Sequence, residues 1–314
     1  MSIPAHPAQT AQTAQTAHRG SIHLEDCEVL QHQDCGAGQF ILRLQAPHTA
    51  THATPGSFVH LRCEPQLPMR RPLSIMRSDP KAGWIELLYK VVGTGTAALA
   101  RAQVGTQLNL LGPIGQGFTA HPERPRVLAI GGGVGIPPMV FLAESLRADS
   151  RAAWQPLVLM GSEIPFPFRA RPSRILVPGM PDGAIACMPL LDEWQVPSRL
   201  ASNADYAGCF AGFVTDLAQH WLRSLPGDEL ARVEIFSCGP TPMLAAVARL
   251  ARVFSLPCQV SLEEYMACAV GGCAGCAVEV QTPQGPAMKR VCVDGPVFEA
   301  QSVFDGAAQV ASQS

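Results

Sequence analysis

Charge is scarce in this chain. Only 15% of its 314 residues are Asp, Glu, Lys or Arg, and the two signs nearly cancel to a net charge of −2. That balance excludes nucleic-acid binding driven by bulk positive charge. Long apolar runs are missing too: none reaches the ~18 residues of a membrane span. The opening stretch "MSIPAHPAQTAQTAQTAHRGS" has neither a basic n-region nor an apolar h-region, so no secretory signal is expected. Its QTA repeat also lacks core-forming residues, and residues 1–21 are expected to be a disordered tail. Eleven cysteines without an export signal point to a reducing compartment, the cytoplasm. There, clustered thiols bind metal or do redox work. Cys27, Cys35, Cys63, Cys187, Cys209 and Cys258 are scattered and fit small core positions.

What the chain does have is apolar material, 47% of its residues, enough to bury cores in two or three domains. From residue 22 to 120 the pattern is strand-like. "QFILRLQA", "SFVHLRCE", "PLSIMRS" and "WIELLYKVV" are separated by turns, and one helix is expected at "TAALARAQV". Short strands at regular spacing predict an antiparallel barrel. From 121 to 262 strands and helices alternate, as in "RVLAIGGGVGIPPMVFLAESLRA", "PLVLMGS", "GFVTDLAQHWLRSL", "VEIFSCG" and "PTPMLAAVARLARV". This predicts a parallel sheet with helices on both faces. One more strand is expected in the Pro-rich stretch 162–207, at "RILVPG" or "GAIACM". From 263 to 314 the chain is rich in cysteine and turns, with a strand near "CAVEVQT" and a polar end.

Four motifs carry chemistry. In "AIGGGVGIPP", Gly131, Gly132, Gly133 and Gly135 follow a strand and open a helix. Such a loop lets backbone approach a pyrophosphate at a helix N-terminus. A tight strand–helix turn also needs glycine, but the flanking strand and helix favour a nucleotide. In "FSCGPTPM" a second strand ends at Cys238, Gly239 and Pro240. Ligands bind at the carboxyl ends of parallel strands, so these residues are expected on the same crevice. The plain alternative is a turn with a buried cysteine. In "RRPLSI", Arg71 and Ser74 lie three apart on a strand and so on opposite faces. One can hold a phosphate while the Ser hydroxyl meets a flat ring; a solvated arginine is the plain alternative. "VVGTGTAALA" adds Gly95 and Thr96, a second candidate phosphate cradle. Finally Cys268, Cys273, Cys276 and Cys292 give C-x4-C-x2-C…C, the spacing of plant-type [2Fe–2S] clusters. Structural zinc also takes four thiolates. Zinc sites usually pair two C-x2–4-C knuckles, whereas three of these ligands share one loop.

Together with "GPIGQGF", "GFVTD", "SLEEYMACAVGGCAGCAVEV" and "RVCVDGPVF", these motifs resemble a known family over residues 22 to 300. It is the FAD and iron–sulfur electron-transfer subunit of NAD-dependent dihydroorotate dehydrogenase, within the ferredoxin-reductase superfamily. The resemblance implies an FAD-binding barrel, a parallel-sheet NAD-binding domain and a small C-terminal [2Fe–2S] domain. It implies Arg71 at the FAD pyrophosphate, Pro72, Leu73 and Ser74 along the flavin, and Gly95 and Thr96 at the FAD phosphates. Gly131 to Gly135 and Cys238 to Pro240 would line the NAD(H) site, Ser74 and Cys238 would stand at the reacting rings, and the four cysteines would hold the cluster. The implied partner is an FMN-containing catalytic subunit, in a heterotetramer. Electrons would run from dihydroorotate through that FMN, the cluster and FAD to NAD, in pyrimidine biosynthesis. The chain departs from the family at Tyr265, where Arg is usual, and at Ala269, where Gly is usual.

The order of stations agrees with the chemistry. A nicotinamide carries two electrons, a [2Fe–2S] cluster one, and a flavin exchanges with both. Nothing in the chain resembles a (β/α)8 barrel or a dihydroorotate site, so this subunit is expected to pass electrons only. The alternatives are a subunit of a sulfide dehydrogenase or of an NADH-dependent ferredoxin–NADP oxidoreductase, and a non-catalytic redox sensor. For the coenzyme, Glu163 after strand "PLVLMG" is expected to accept from a ribose 2′-OH and favour NAD. Arg169, Arg171 and Arg174 would instead welcome a 2′-phosphate.

Overall fold

Alternation builds the first half of the molecule. Leu42 and Leu44, Val59 and Leu61, and Ile85, Leu87 and Tyr89 lie two apart on their strands and share one interior. The computed structural model describes residues 20–304 and closes these strands into a six-stranded antiparallel barrel. The strands are β1 (His23–Gly36), β2 (Gln39–Gln45), β3 (Phe58–Arg62), β4 (Arg71–Asp79), β5 (Trp84–Lys90) and β6 (Gln107–Ile114), in the order β1-β2-β5-β4-β3-β6. Two short helices, α1 (Pro47–His52) and α2 (Thr94–Leu99), lie in its connections. In the sequence β1 is masked because Glu25 and Cys27 occupy its inward positions, and β6 because it ends in Gly112-Pro113, which reads as a turn. All but the last two residues of the expected tail fall outside the described range.

Beyond Arg126 the chain makes a seven-stranded sheet, ordered β12-β11-β8-β7-β13-β14-β17. Its parallel members are β7 (Arg126–Gly132), β8 (Gln155–Gly161), β11 (Ser198–Ser202), β12 (Phe210–Ala211), β13 (Val233–Cys238) and β14 (Cys258–Ser261). The edge strand β17 (Val297–Glu299) is antiparallel to β14, so the sheet is mixed. Helix α3 (Ile136–Ala148) covers one face of this sheet. It is apolar nearly all round because Met76 and Leu88 of the barrel pack against it as well. Arg77 on β4 clamps that junction through Glu144 on α3, at 2.8 Å.

The stretch 162–207 differs from expectation. "RILVPG" forms no strand, and "GAIACM" supplies only the two-residue β10 (Ala186–Cys187), paired with β9 (Arg171–Pro172) away from the main sheet. The sheet strand here is β11, whose sequence SRLAS looks polar although all five residues are buried. A buried carboxylate organises the excursion. Asp192, in α4 (Pro189–Glu193), accepts from the Ser173 hydroxyl at 2.9 Å and from Arg174 Nε at 2.9 Å. The sheet's other face carries α5 (Val214–Ser224) and α7 (Thr241–Val253), with α6 (Gly227–Leu230) between them in sequence. The cysteine-rich segment ends in a hairpin of β15 (Ala277–Thr282) and β16 (Gly285–Arg290), and then the chain returns to the sheet through β17 and α8 (Ala300–Val303).

Candidate functional site

Parallel pairing sets Cys238 beside Gly131, so the two loops that follow β7 and β13 leave the sheet together. They touch backbone to backbone. A Cβ on Gly135 would overlap the Cys238 carbonyl, and one on Gly239 would come 3.2 Å from Gly132 Cα. The crevice is this narrow only because both loops lack side chains there. Pro240 caps α7, and Pro137 and Pro138 occupy the first turn of α3, where missing N–H groups cost nothing.

On the barrel, β4 divides its side chains between two faces. Pro72 and Ser74 line a cavity, while Leu73 packs half-buried against the barrel core. Of the paired arginines, Arg70 is tied to the barrel through the carbonyls of His60 and Asn109. Arg71 reaches only the nearby carbonyls of Met69 and Arg70. Its guanidinium lies over Gly95, where a Cβ would meet Arg71 Nε at 2.6 Å. Gly95 thus leaves an open cradle for a cation and an anion to share. The Thr96 hydroxyl is taken by its own loop, accepting from Val92 N at 3.0 Å, so Thr96 shapes this turn from within.

The cavity itself, about 420 Å³ including the part open to solvent, lies where three segments meet. Phe58, Pro72 and Ser74 come from the barrel, Val134 and Cys238 from the sheet, and Glu263, Glu264 and Met266 from the cysteine-rich segment. Ser74 and Cys238, singled out from separate motifs, face one space. Arg71, Gly95 and Thr96 do not reach it. Burial, reinforced by the charge of Glu263, pushes the Cys238 thiol up to about 12, so it stays protonated. Burial, and then the charge of Glu264, raises Glu263 above the usual carboxylate range. Glu263 lies in the stretch "SLEEYMACAVGGCAGCAVEV", but no chemistry read from it assigned Glu263 a role. Its one sequence signal is an acidic pair directly after a buried strand.

The four cysteines come together in two pairs. Cys276 precedes β15 and Cys292 follows β16, so the hairpin returns one to the other and their sulfurs are 3.4 Å apart. Cys268 and Cys273 interact across the preceding loop. That loop folds through left-handed residues Ala269, Gly271 and Ala274, with φ of 55°, 79° and 53°. Left-handed backbone at Ala269 is a conformation that glycine adopts without steric cost. The turns aim Gly272 N at the Cys268 sulfur, 3.2 Å away, and Gly275 N at the Cys273 sulfur, 3.4 Å away. Burial works against the Cys268 thiolate, but backbone N–H donors outweigh it and draw this thiol down to about 7. Among the described residues no three His, Cys, Asp or Glu side chains converge as a single metal ion requires. Two thiols per iron across a binuclear cluster is the arrangement these pairs fit, and it fits zinc less well.

A barrel and a parallel sheet with a glycine-walled crevice, joined at one cavity by the segment that leads into the paired thiols, define a flavin- and iron–sulfur-type oxidoreductase of the ferredoxin-reductase fold. A family model for the oxidoreductase FAD-binding domain matches residues 26–118, and one for the iron-sulfur cluster binding domain of dihydroorotate dehydrogenase B matches 263–304. The dihydroorotate dehydrogenase B (NAD(+)) electron transfer subunit of Shouchella clausii is 31% identical over 88% of this chain and 96% of its own length. That of Bacillus caldolyticus is 36% identical over 79% and 86%. The chain belongs to this family of electron transfer subunits. Among solved structures, one of an NADH-dependent reduced ferredoxin-NADP oxidoreductase aligns at a TM-score of 0.68 and 26% identity, covering 88% of this chain and 89% of the other. The ferredoxin reductase of carbazole 1,9a-dioxygenase, at 0.58 and 21%, shares the fold.

Proposed function

We propose that this chain relays electrons between NAD and the FMN of a dihydroorotate-oxidising catalytic subunit, with which it forms a heterotetramer in pyrimidine biosynthesis. The observation that carries this is the three-way cavity, where the barrel, the turns after β7 and β13 and the segment leading into the cysteine loop meet. FAD bound there exchanges electron pairs with a nicotinamide and single electrons with a [2Fe–2S] cluster.

The chain's own side chains bind, orient and screen. Arg71, over the Gly95–Thr96 turn, would hold the FAD phosphates, Pro72 and Ser74 would face the flavin from β4, and Leu73 would support that strand from the barrel side. Gly131, Gly132, Gly133 and Gly135 admit the coenzyme phosphates. Cys238, Gly239 and Pro240 wall the nicotinamide side, with Cys238 acting as a neutral thiol in contact with the ring rather than as a nucleophile. Cys268, Cys273, Cys276 and Cys292 hold the cluster. We divide the chain into a barrel domain, 22–120, a sheet domain, 121–262, and a cluster segment from 263 that is stitched back to the sheet by β17. We place it in the cytoplasm on its eleven free cysteines. No helix among the described residues is long and apolar enough to cross a membrane.

The likeness to the ferredoxin–NADP oxidoreductase chain supports one second reading, service in that kind of complex. Purifying the native complex separates the two. An FMN subunit that confers dihydroorotate-dependent NAD reduction is the expected companion. A larger ferredoxin-dependent flavoprotein in its place would overturn the proposal.

A further inference from the structure

Arg77 does not point where a regular strand would send it. Ile75, two residues back on β4, faces the barrel interior, and strict alternation would turn Arg77 inward beside it. The pairing of β4 with β5 slips between Ile75 and Arg77, and this irregularity leaves Arg77 outside with Met76, against α3. There its guanidinium meets three parts of the chain. Nε and Nη2 donate to one oxygen of Glu144 on α3, at 2.9 and 2.8 Å. Nη1 reaches Glu86 on β5 at 3.4 Å, a carboxylate that Arg43 on β2 also holds, at 2.7 Å. The guanidinium lies over the ring of Trp84 on β5, 5.4 Å from its centre, and over that of Trp194, 5.0 Å from its centre. Trp194 follows α4 in the 162–207 excursion and also takes Arg147 of α3, at 5.1 Å.

Partly buried ion pairs add little stability over the apolar packing that Met76 and Leu88 already supply at this seam. What the fork adds is direction. Apolar contacts tolerate sliding, and domains of one chain move relative to each other by default; two N–H groups converging on one oxygen fix a register. Ser74, on the cavity wall, stands three residues back along β4, about 10 Å. Gly135, whose loop touches the Cys238 backbone, stands nine residues back along α3 from Glu144, about 14 Å. Both paths are continuous secondary structure, so a shift at the clamp reaches both walls. We propose that Arg77 is a positioning residue for hydride transfer: through Glu144 and Trp194 it sets the spacing between the coenzyme loop after β7 and the flavin strand β4. In that step a hydride leaves the nicotinamide of NADH with its electron pair and joins the flavin, giving NAD+ and two-electron-reduced FAD. The excursion thereby gains a task, closing the clamp with Trp194. This rests on the assignment of FAD and NAD(H) to those two walls.

The test compares Arg77→Met, Glu144→Gln, their double variant and Arg252→Met in the full chain. Arg252, on α7 and bonded to Gln301 and the Phe304 carbonyl, is the control for lost ion contacts away from the seam. Hydrogen exchange of the FAD-free proteins is read over 136–148 and 189–196. Arg77→Met should quicken it roughly tenfold, the scale of one charge-assisted hydrogen bond, and Arg252→Met should not. Stopped-flow reduction of the FAD-loaded proteins by NADH gives a limiting rate and a half-saturation. Arg77→Met should lower the limiting rate roughly tenfold, within the ~100-fold scale of a 1 Å misplacement, with FAD content and half-saturation near the parent's. The double variant should be no slower than Arg77→Met, since both residues act through one contact. An unchanged limiting rate in Arg77→Met, a fall without faster exchange, or an equal fall in Arg252→Met overturns the proposal. Should Arg77→Met fail to fold or load, Glu144→Gln decides: a lowered limiting rate at unaltered half-saturation supports the clamp, and a parental rate refutes it. A parent whose flavin NADH does not reduce would overturn the functional assignment itself, a different result from any of these.

Discussion

Gly135→Ala should damage turnover far more than its size suggests. Gly135 has φ −85° and ψ −2°, which alanine adopts readily, so glycine is needed there for space alone. A Cβ at 135 would lie 2.5 Å from Gly239 N and closer still to the Cys238 carbonyl. Both obstacles are backbone at the end of a paired strand, so no rotamer change relieves them. Restoring ordinary contact at 3.4 Å parts the two loops by about 1 Å. Overpacking of this kind costs about 1–3 kcal/mol, a fall in Tm of roughly 2–10 °C. A misplacement of about 1 Å is the scale at which aligned reactions lose ~100-fold. Gly105→Ala, in the barrel turn before β6, is the control. Gly105 has φ +88° with nothing within 4 Å of a Cβ, so its cost, about 1–2 kcal/mol, is conformational and leaves the crevice alone. The assay is NADH-dependent dye reduction beside thermal melts. Expected is a kcat/KM about 100-fold lower for Gly135→Ala and within a few-fold of the parent for Gly105→Ala. Equal losses in both, or full activity in Gly135→Ala, would refute the reasoning.

Cys273→Ser, at an exposed position, should abolish the cluster's spectrum while FAD stays bound; zinc without sulfide in the parent would contradict the cluster assignment. Arg71→Ala removes a charge-assisted phosphate contact worth ~1.5–3 kcal/mol, so FAD affinity should fall by roughly ten- to a hundred-fold in equilibrium titration. NADH should outperform NADPH, because Arg171 and Arg174 are already engaged by Asp192, and Glu163→Ala should narrow the gap in steady-state kcat/KM. His121 is raised above 6.5, first by its hydrogen bond to Glu234. Stability from that charge is full below about pH 6.5 and is lost as pH rises through the raised value. His121→Gln, which keeps a donor for Glu234, should therefore flatten the decline in urea-melt midpoint above neutrality.

The sequence was most legible where backbone chemistry forces a choice of residue. The Gly131–Gly135 loop, the Cys238–Pro240 turn and the cysteine spacing could be read without knowing their neighbours, because each answers to a local constraint. The convergence of Ser74 and Cys238 on one cavity follows from parallel pairing of β7 with β13 and from the seat of the barrel on α3. Only the first of these has a sequence signal. β11 escaped because its polar residues are buried through bonds to distant loop backbone, Met188 N to the Ser198 hydroxyl and Arg199 to the Ile175 carbonyl, and only Leu200 and Ala201 carry a core signal. The seat of Glu263 beside Ser74 and Cys238 escaped because those neighbours come from segments distant in sequence.

Anaerobic titration of the purified chain with NADH, followed by optical absorbance and electron paramagnetic resonance together, bears most directly on the relay. Bleaching of the flavin accompanied by an unpaired-electron signal from a reduced [2Fe–2S] cluster is expected, with the signal absent in Cys273→Ser while bleaching persists. Flavin bleaching in the parent with no reduction of a cluster would contradict the account.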